Sequence, residues 1–128
     1  MTNRKSLVRQ ADKAFGDYIK ERDSHICATC GETNESMIDC GHLFTRAAYS
    51  TRWLEQNAFA QCRSCNLRHE YDPGPLTIYF LRMFGKDAYE ELHRIHKTTV
   101  KYHNADLQKI IDKYRALLAN HRLTKDNG

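Results

Sequence analysis

The sequence predicts a mainly helical α+β fold built around a four-cysteine metal site. Three observations predict it. Amphipathic helical periodicity runs through both ends of the chain, and it disappears between Glu32 and Tyr71. Two Cys-x-x-Cys pairs bracket that aperiodic centre. The expected organisation is one domain over residues 1–128, with a helix over 6–22, a metal-bound centre over 25–71 and two or three helices over 75–121.

The first helix rests on Leu7, Val8, Ala11, Ala14, Phe15, Tyr18 and Ile19, which recur at three- and four-residue intervals with charges between them. Ser6 is the expected N-cap, and Asp23-Ser24 ends the helix before the tight turn Cys27-Ala28-Thr29-Cys30-Gly31. Met37 to Phe44 reads as one strand of a hairpin, where Gly41 marks a bulge or a close backbone approach. A short helix is expected around Thr51–Asn57, ahead of the second cysteine turn, Cys62-Arg63-Ser64-Cys65. Asp72-Pro73-Gly74-Pro75 breaks the chain. Pro75 then fits a first helical position, and Leu76, Tyr79, Phe80, Met83 and Phe84 form a stripe that ends at Gly85. Asp87 and Glu90 have capping-box spacing for a helix that turns Ala88, Leu92 and Ile95 inward. After Asn104, Leu107, Ile110, Ile111, Tyr114, Leu117 and Leu118 define a last amphipathic helix, and residues 122–128 read as a frayed tail.

Hydrophobic residues make up 41% of the 128 and charged residues 28%, which is ordinary for a globular protein and argues against disorder. No apolar stretch is long enough to span a membrane, and the segment from Met1 to Ser6 lacks a signal peptide's apolar core, so a cytoplasmic protein is expected. A net charge of +4 suits a polyanionic partner without requiring one.

In a reducing compartment, paired cysteines bind metal or do redox work more often than they form disulfides. Cys27, Cys30, Cys62 and Cys65 supply four thiolates, with 31 residues between the pairs. Zn²⁺ prefers four such ligands in a tetrahedron, and a filled shell makes the ion structural. Two alternatives stand beside this: a pair of redox dithiols, or a split arrangement. In the split form Cys27, Cys30, Cys40 and His42 hold one ion, and Cys62, Cys65 and His69 hold another. In the favoured reading Cys40 is a small buried residue.

Other polar residues fall in a telling order around the cysteines. His42 follows Asp39-Cys40-Gly41, Asn57 lies five residues before Cys62, and Asn66 and His69 follow Cys65. The order is Cys-x-x-Cys, His, Asn, then Cys-x-x-Cys-Asn-x-x-His. Arg46, Arg52, Arg63 and Arg68 cluster around the same centre, as phosphate contacts would. Tyr49 and Trp53 could stack on an unpaired base, although packing against the hairpin is favoured. His93, His96, His103 and His121 lack any comparable context and read as surface residues.

This order resembles the cysteine-bearing HNH, or ββα-metal, endonucleases. It resembles the lambdoid phage NinG (Rap) recombination nucleases more closely. The likeness extends to Ala11-Asp12-Lys13-Ala14-Phe15, Tyr18-Ile19, Arg22-Asp23, Gly41-His42 with Thr45-Arg46-Ala47-Ala48, and Gln61-Cys62 through Cys65-Asn66. The resemblance implies a ββα-metal centre in which His42 activates water. Asn66 and His69 would hold a catalytic Mg²⁺ or Mn²⁺ from the helix after the second cysteine turn, and Asn57 would brace the loop. Many HNH enzymes carry an acidic or histidine ligand immediately before the catalytic histidine; here that position is Gly41. Asp39 is the nearest carboxylate and a candidate ligand, but strand alternation puts it on the face opposite His42 unless Gly41 forms a bulge.

The expected activity is metal-dependent endonucleolytic cleavage of DNA in a bacterial host cell. A preference for branched DNA, D-loops or Holliday junctions follows from the resemblance alone. A non-catalytic zinc module that binds nucleic acid is the alternative, and a thiol redox protein a third reading. A homodimer is possible through the C-terminal stripe, which packing onto residues 7–19 would explain equally well.

Overall fold

Asn3 starts the first helix: its side-chain oxygen accepts from the Ser6 N–H at 2.8 Å, so the cap lies three residues before the expected Ser6. The computed structural model describes residues 3–127, and the expectations for Met1, Thr2 and Gly128 lie outside them. Helix α1 runs Arg4–Arg22. It ends at Asp23, and the chain then passes through two left-handed residues, Ser24 (φ 56°) and His25 (φ 54°), into the cysteine turn.

Strand β1 is Ile38–His42 and pairs antiparallel with β2, Ala58–Cys62. Sequence patterning did not locate β2, because all five of its residues are buried and no alternation survives. The ladder pairs Asp39 with Gln61, Cys40 with Ala60 and Gly41 with Phe59 without interruption, so Gly41 is a close approach and no bulge forms. Met37 belongs to the preceding 3-10 turn, and Phe44 lies beyond the strand.

A two-stranded sheet is marginal by itself. Here the second edge of β2 is satisfied by other means. The Asp23 carboxylate accepts from the Ala60 N–H at 2.9 Å, Ala28 N–H donates to the Ala60 carbonyl at 2.9 Å, and Arg22 donates to the Ala58 carbonyl at 2.7 Å. The end of α1 and the first cysteine turn thus stand where a third strand would.

The segment expected as one helix over Thr51–Asn57 is two pieces, α2 at Tyr49–Arg52 and a 3-10 turn at Glu55–Asn57. Trp53 breaks it because its side chain is needed in the core: it is 5% exposed, and its indole N–H donates to Asp12 at 3.0 Å. Helix α3, Arg63–His69, follows β2 directly. Helix α4 spans Gly74–Phe84, so Pro75 is its second residue and not its first. Its apolar stripe is only partly covered: Leu76 and Phe80 are buried, whereas Met83 and Phe84 are more than half exposed. Helix α5, Lys86–His96, makes no capping box between Asp87 and Glu90; Gly85, at φ 88°, joins it to α4 with no side-chain cap. Leu92 is its buried residue, with Ala88 packed alongside.

Helix α6 spans Asn104–Asn127 and carries on through most of the segment expected as a frayed tail. Its stripe packs on α1: Leu107, Ile111 and Tyr114 meet Leu7, Ala11, Phe15 and Ile19, and the Tyr114 hydroxyl donates to the Trp53 carbonyl at 2.7 Å. A second cluster of Leu43, Phe59, Leu76, Phe80 and Leu92 joins the sheet to α4 and α5. Among the described residues, no helix is long and apolar enough to cross a membrane.

Candidate functional site: a four-cysteine cluster beside a histidine-lined cleft

The sulfur atoms of Cys27, Cys30, Cys62 and Cys65 all lie within 4.8 Å of one another, and those of Cys30 and Cys62 are 3.6 Å apart. A tetrahedral zinc site with Zn–S bonds of about 2.3 Å separates its sulfurs by about 3.8 Å. The four cysteines are therefore placed to hold a structural ion such as zinc. Each pair owes its position to the backbone. Gly31, at φ 81°, closes the first turn and donates to the Cys27 carbonyl at 2.9 Å. Cys62 ends β2, and Cys65 sits in the first turn of α3.

Local hydrogen bonds lower Cys27 and Cys62, whereas burial and the neighbouring sulfurs raise Cys30 and Cys65. Burial opposes ionisation of Cys27, but the Thr29 hydroxyl and the backbone N–H groups of Cys62, Cys30 and Thr29 outweigh it and bring this thiol down to about 6. Cys40 stays out of the cluster. It faces α1, its Cβ 3.5 Å from where a Cβ on Gly16 would stand, and it packs on the α1–α6 core. Burial pushes its thiol up to about 12. The split arrangement using Cys40 and His42 is not formed.

A cleft of about 800 Å³ lies between β1, the loop after it and α3. His42, Asp39, Asn66, His69 and Arg46 line it, together with Glu70, which sequence reasoning did not single out. Asp39 and His42 both line this cleft although strand alternation projects them from opposite faces.

His42 donates from Nε2 to the Arg52 carbonyl at 2.8 Å, since a carbonyl can only accept. The neutral ring therefore keeps its lone pair on Nδ1. Burial holds this imidazole below the ordinary histidine range; the Arg52 carbonyl and Asp12 oppose the shift, and the Arg46 and Arg52 charges add to it. His69 is tethered in the same way. Its Nε2–H donates to the Leu43 carbonyl at 2.9 Å, and its Nδ1 is buried without any partner. A histidine tethered through one nitrogen to a backbone carbonyl, with the other left bare, has the arrangement of a metal ligand and its outer-shell support.

Asn57 is fully buried. Its Oδ1 accepts from the Phe44 N–H at 2.8 Å, and its Nδ2 donates to the carbonyls of Phe44 at 2.9 Å and Thr51 at 3.1 Å. It thereby ties both ends of the loop after β1.

The arginines divide. Arg46 and Arg68 are exposed, and Arg46 reaches Asp12 at 4.0 Å. Arg63 reaches Asp39 at 3.5 Å and the Ser36 carbonyl at 3.3 Å. Arg52 is placed differently from a phosphate contact. Its side chain is 13% exposed and forms a two-pronged pair with Asp12, at 3.0 Å and 2.7 Å. Because the carbonyl of this same residue receives His42, Asp12 indirectly fixes the histidine. Tyr49 and Trp53 pack against each other and Tyr102, and Trp53 shares a core cluster with Ala58 of the hairpin.

Sequence reasoning gave no role to Asp12, Thr29 or Gln61. Gln61 is 1% exposed, its Oε1 has no partner, and that oxygen would stand 2.1 Å from a Cβ on Gly41. An uncharged glutamine in a strand gives no sequence signal; only the missing side chain at Gly41 hinted that something approaches there.

Comparison with known proteins adds the family. No curated protein and no solved structure matches the chain. The family model described as bacteriophage lambda NinG protein matches residues 1–125. The chain belongs to the NinG family of bacteriophage lambda.

Proposed function

We infer that this protein is a metal-dependent DNA endonuclease of the ββα-metal kind that acts in phage recombination. The single observation that carries the reading is the pair of carbonyl-tethered histidines in one cleft. His42 and His69 each keep a bare Nδ1, and one of those nitrogens is buried with nothing to bond.

The residues present fit a hard divalent cation. His69 Nδ1 and the Asn66 side-chain oxygen are suitable donors from one helix, and Asp39 adds a carboxylate across the cleft. Bound there, Mg²⁺ or Mn²⁺ would supply positive charge for the phosphate and the leaving oxygen. His42 takes the proton of the attacking water on Nδ1 as the water oxygen bonds to phosphorus. The P–O bond to the leaving sugar oxygen breaks, and that oxygen is protonated from solvent. Asn57 keeps the His42-bearing loop in place, and the Asp12–Arg52 pair aims the carbonyl that selects the histidine's tautomer. Arg46 and Arg68 meet the backbone phosphates. The order β1–β2–α3, with His42 on the first strand and Asn66 and His69 on the helix, supports the assignment. The preference for D-loops or Holliday junctions rests on family membership.

The test is cleavage of linear duplex, single-stranded and four-way DNA with Mg²⁺, Mn²⁺ or EDTA, using wild type and His42→Ala. Metal-dependent nicking by the wild type alone supports the reading, and the substrate ranking tests the branched-DNA preference. DNA binding without any product points to a zinc-stapled binding module. A His42→Ala variant that cuts at the wild-type rate overturns the mechanism.

A further inference from the structure

We propose that Gln61 is the positioning residue that turns Asn66 toward the catalytic cation, and that it is itself oriented from the cysteine cluster through Thr29. This rests on the nuclease reading above and deepens it.

The absent side chain at Gly41 makes room for two others. A Cβ at this position would meet Gln61 Oε1 at 2.1 Å and Asn66 Oδ1 at 3.2 Å, so both amides converge on the space beside the residue that precedes His42. Gln61 Oε1 is buried there without a hydrogen-bond donor. A buried carbonyl oxygen left unpaired is costly, and an amide oxygen such as Asn66 Oδ1 cannot supply the missing proton.

One of the two amides must therefore present its NH₂ group, and the surroundings decide which. Thr29 Oγ1 lies 3.3 Å from Cys27 Sγ and 3.4 Å from Gln61 Nε2. An amide nitrogen can only donate, so Thr29 Oγ1 accepts from Gln61 Nε2, which leaves Gln61 with Oε1 toward Gly41. Asn66 has no such tether, and a half-turn of its amide exchanges O and N with no loss of shape. It donates from Nδ2 to Gln61 Oε1 and directs Oδ1 into the cleft it lines, where a cation needs a hard oxygen. The chain of contacts Cys27–Thr29–Gln61–Asn66 thereby makes the cysteine cluster an outer support of the catalytic site.

The test uses Mn²⁺ affinity read by electron paramagnetic resonance, beside zinc content and DNA cleavage. Gln61→Leu keeps the shape and removes both polar groups; Gln61→Glu keeps an acceptor for Asn66. The expected result is Mn²⁺ binding weakened about tenfold or more in Gln61→Leu. Zinc content should be unchanged, and Gln61→Glu should recover most of the affinity. A mere packing role predicts the opposite order, because Leu suits a buried position and Glu does not. In an Asn66→Asp background either carboxylate oxygen can face the cleft, so adding Gln61→Leu should cost little more, a non-additivity that survives any loss of stability. Equal Mn²⁺ affinity in wild type and Gln61→Leu, or fully additive losses in the double variant, overturns the assignment while leaving the nuclease reading intact. A wild type that retains zinc but binds no Mn²⁺ overturns both.

Discussion

Asn57 offers the sharpest test of how the loop after β1 is held. Its side chain is fully buried and makes three hydrogen bonds, two to Phe44 and one to Thr51. Truncation in Asn57→Ala removes all three partners at once. Each bond is worth about 1 kcal/mol net, and a Phe44 N–H left buried without an acceptor raises its share to about 1–3 kcal/mol. The sum is about 3–5 kcal/mol, a large fraction of the stability of a chain this size. Asn57→Asp should fare no better, because a carboxylate would face the Phe44 and Thr51 carbonyl oxygens that now receive Nδ2. Urea unfolding followed by fluorescence suits the measurement: Trp53 is the sole tryptophan, 5% exposed and two residues from Thr51. Zinc must be held in equal excess throughout, since a bound metal shifts apparent stability by mass action. A midpoint change equivalent to less than about 0.5 kcal/mol, typical of a surface substitution, would refute the loop-brace reasoning.

Asp12→Ala should destabilise by about 2 kcal/mol, a partly exposed case of breaking an ion pair. It leaves the Arg52 guanidinium and the Trp53 indole without their shared acceptor, and thermal melts at two salt concentrations would check it. Replacing Cys62 with serine, or stripping metal with a chelator, should lower the melting temperature by roughly 10 °C, because Cys62 joins β2 to α3. Melts with and without added zinc would show it, and indifference to zinc would count against a structural ion. His42 must be neutral to accept a proton, and burial lowers its affinity for one. The cleavage rate should therefore rise with pH through an inflection below the ordinary histidine value of about 6.5 and be level at neutral pH. A pH–rate profile with its inflection well above 6.5 would refute the assignment of His42 as a buried base. Gly41→Ala should mimic Gln61→Leu in Mn²⁺ affinity, since a Cβ would displace the glutamine oxygen from 2.1 Å.

The chain's own pattern determined a good deal. The 3.6-residue repeat of Leu7, Ala11, Phe15 and Ile19 and that of Leu107, Ile111 and Tyr114 is a local property, and each helix lies where its repeat is. The spacing of Cys27, Cys30, Cys62 and Cys65 announced four ligands, because each two-residue turn needs only its own backbone to present two sulfurs. Strand β2 was illegible for the opposite reason: enclosed on every side, its residues lost the alternation that marks a half-buried strand. Gly85 ends α4 as its pattern expects, but the cap of α1 was misplaced, since Asn3 and Ser6 are both residues whose side chains can accept at a helix start.

Only the tertiary structure decided what the polar residues touch. Four arginines looked alike in sequence, yet one is bound to Asp12, forty residues away, while Arg46 and Arg68 face outward. His42 and His69 differ from the chain's other histidines through the carbonyls of Arg52 and Leu43 that fix their tautomers. Cys40 was separated from its four neighbours by the face of β1 on which it falls. Periodicity and ligand spacing are written in short-range order along the chain. Hydrogen-bond partnership and burial depend on which distant segments fold against one another, and for those the contacts themselves had to be seen.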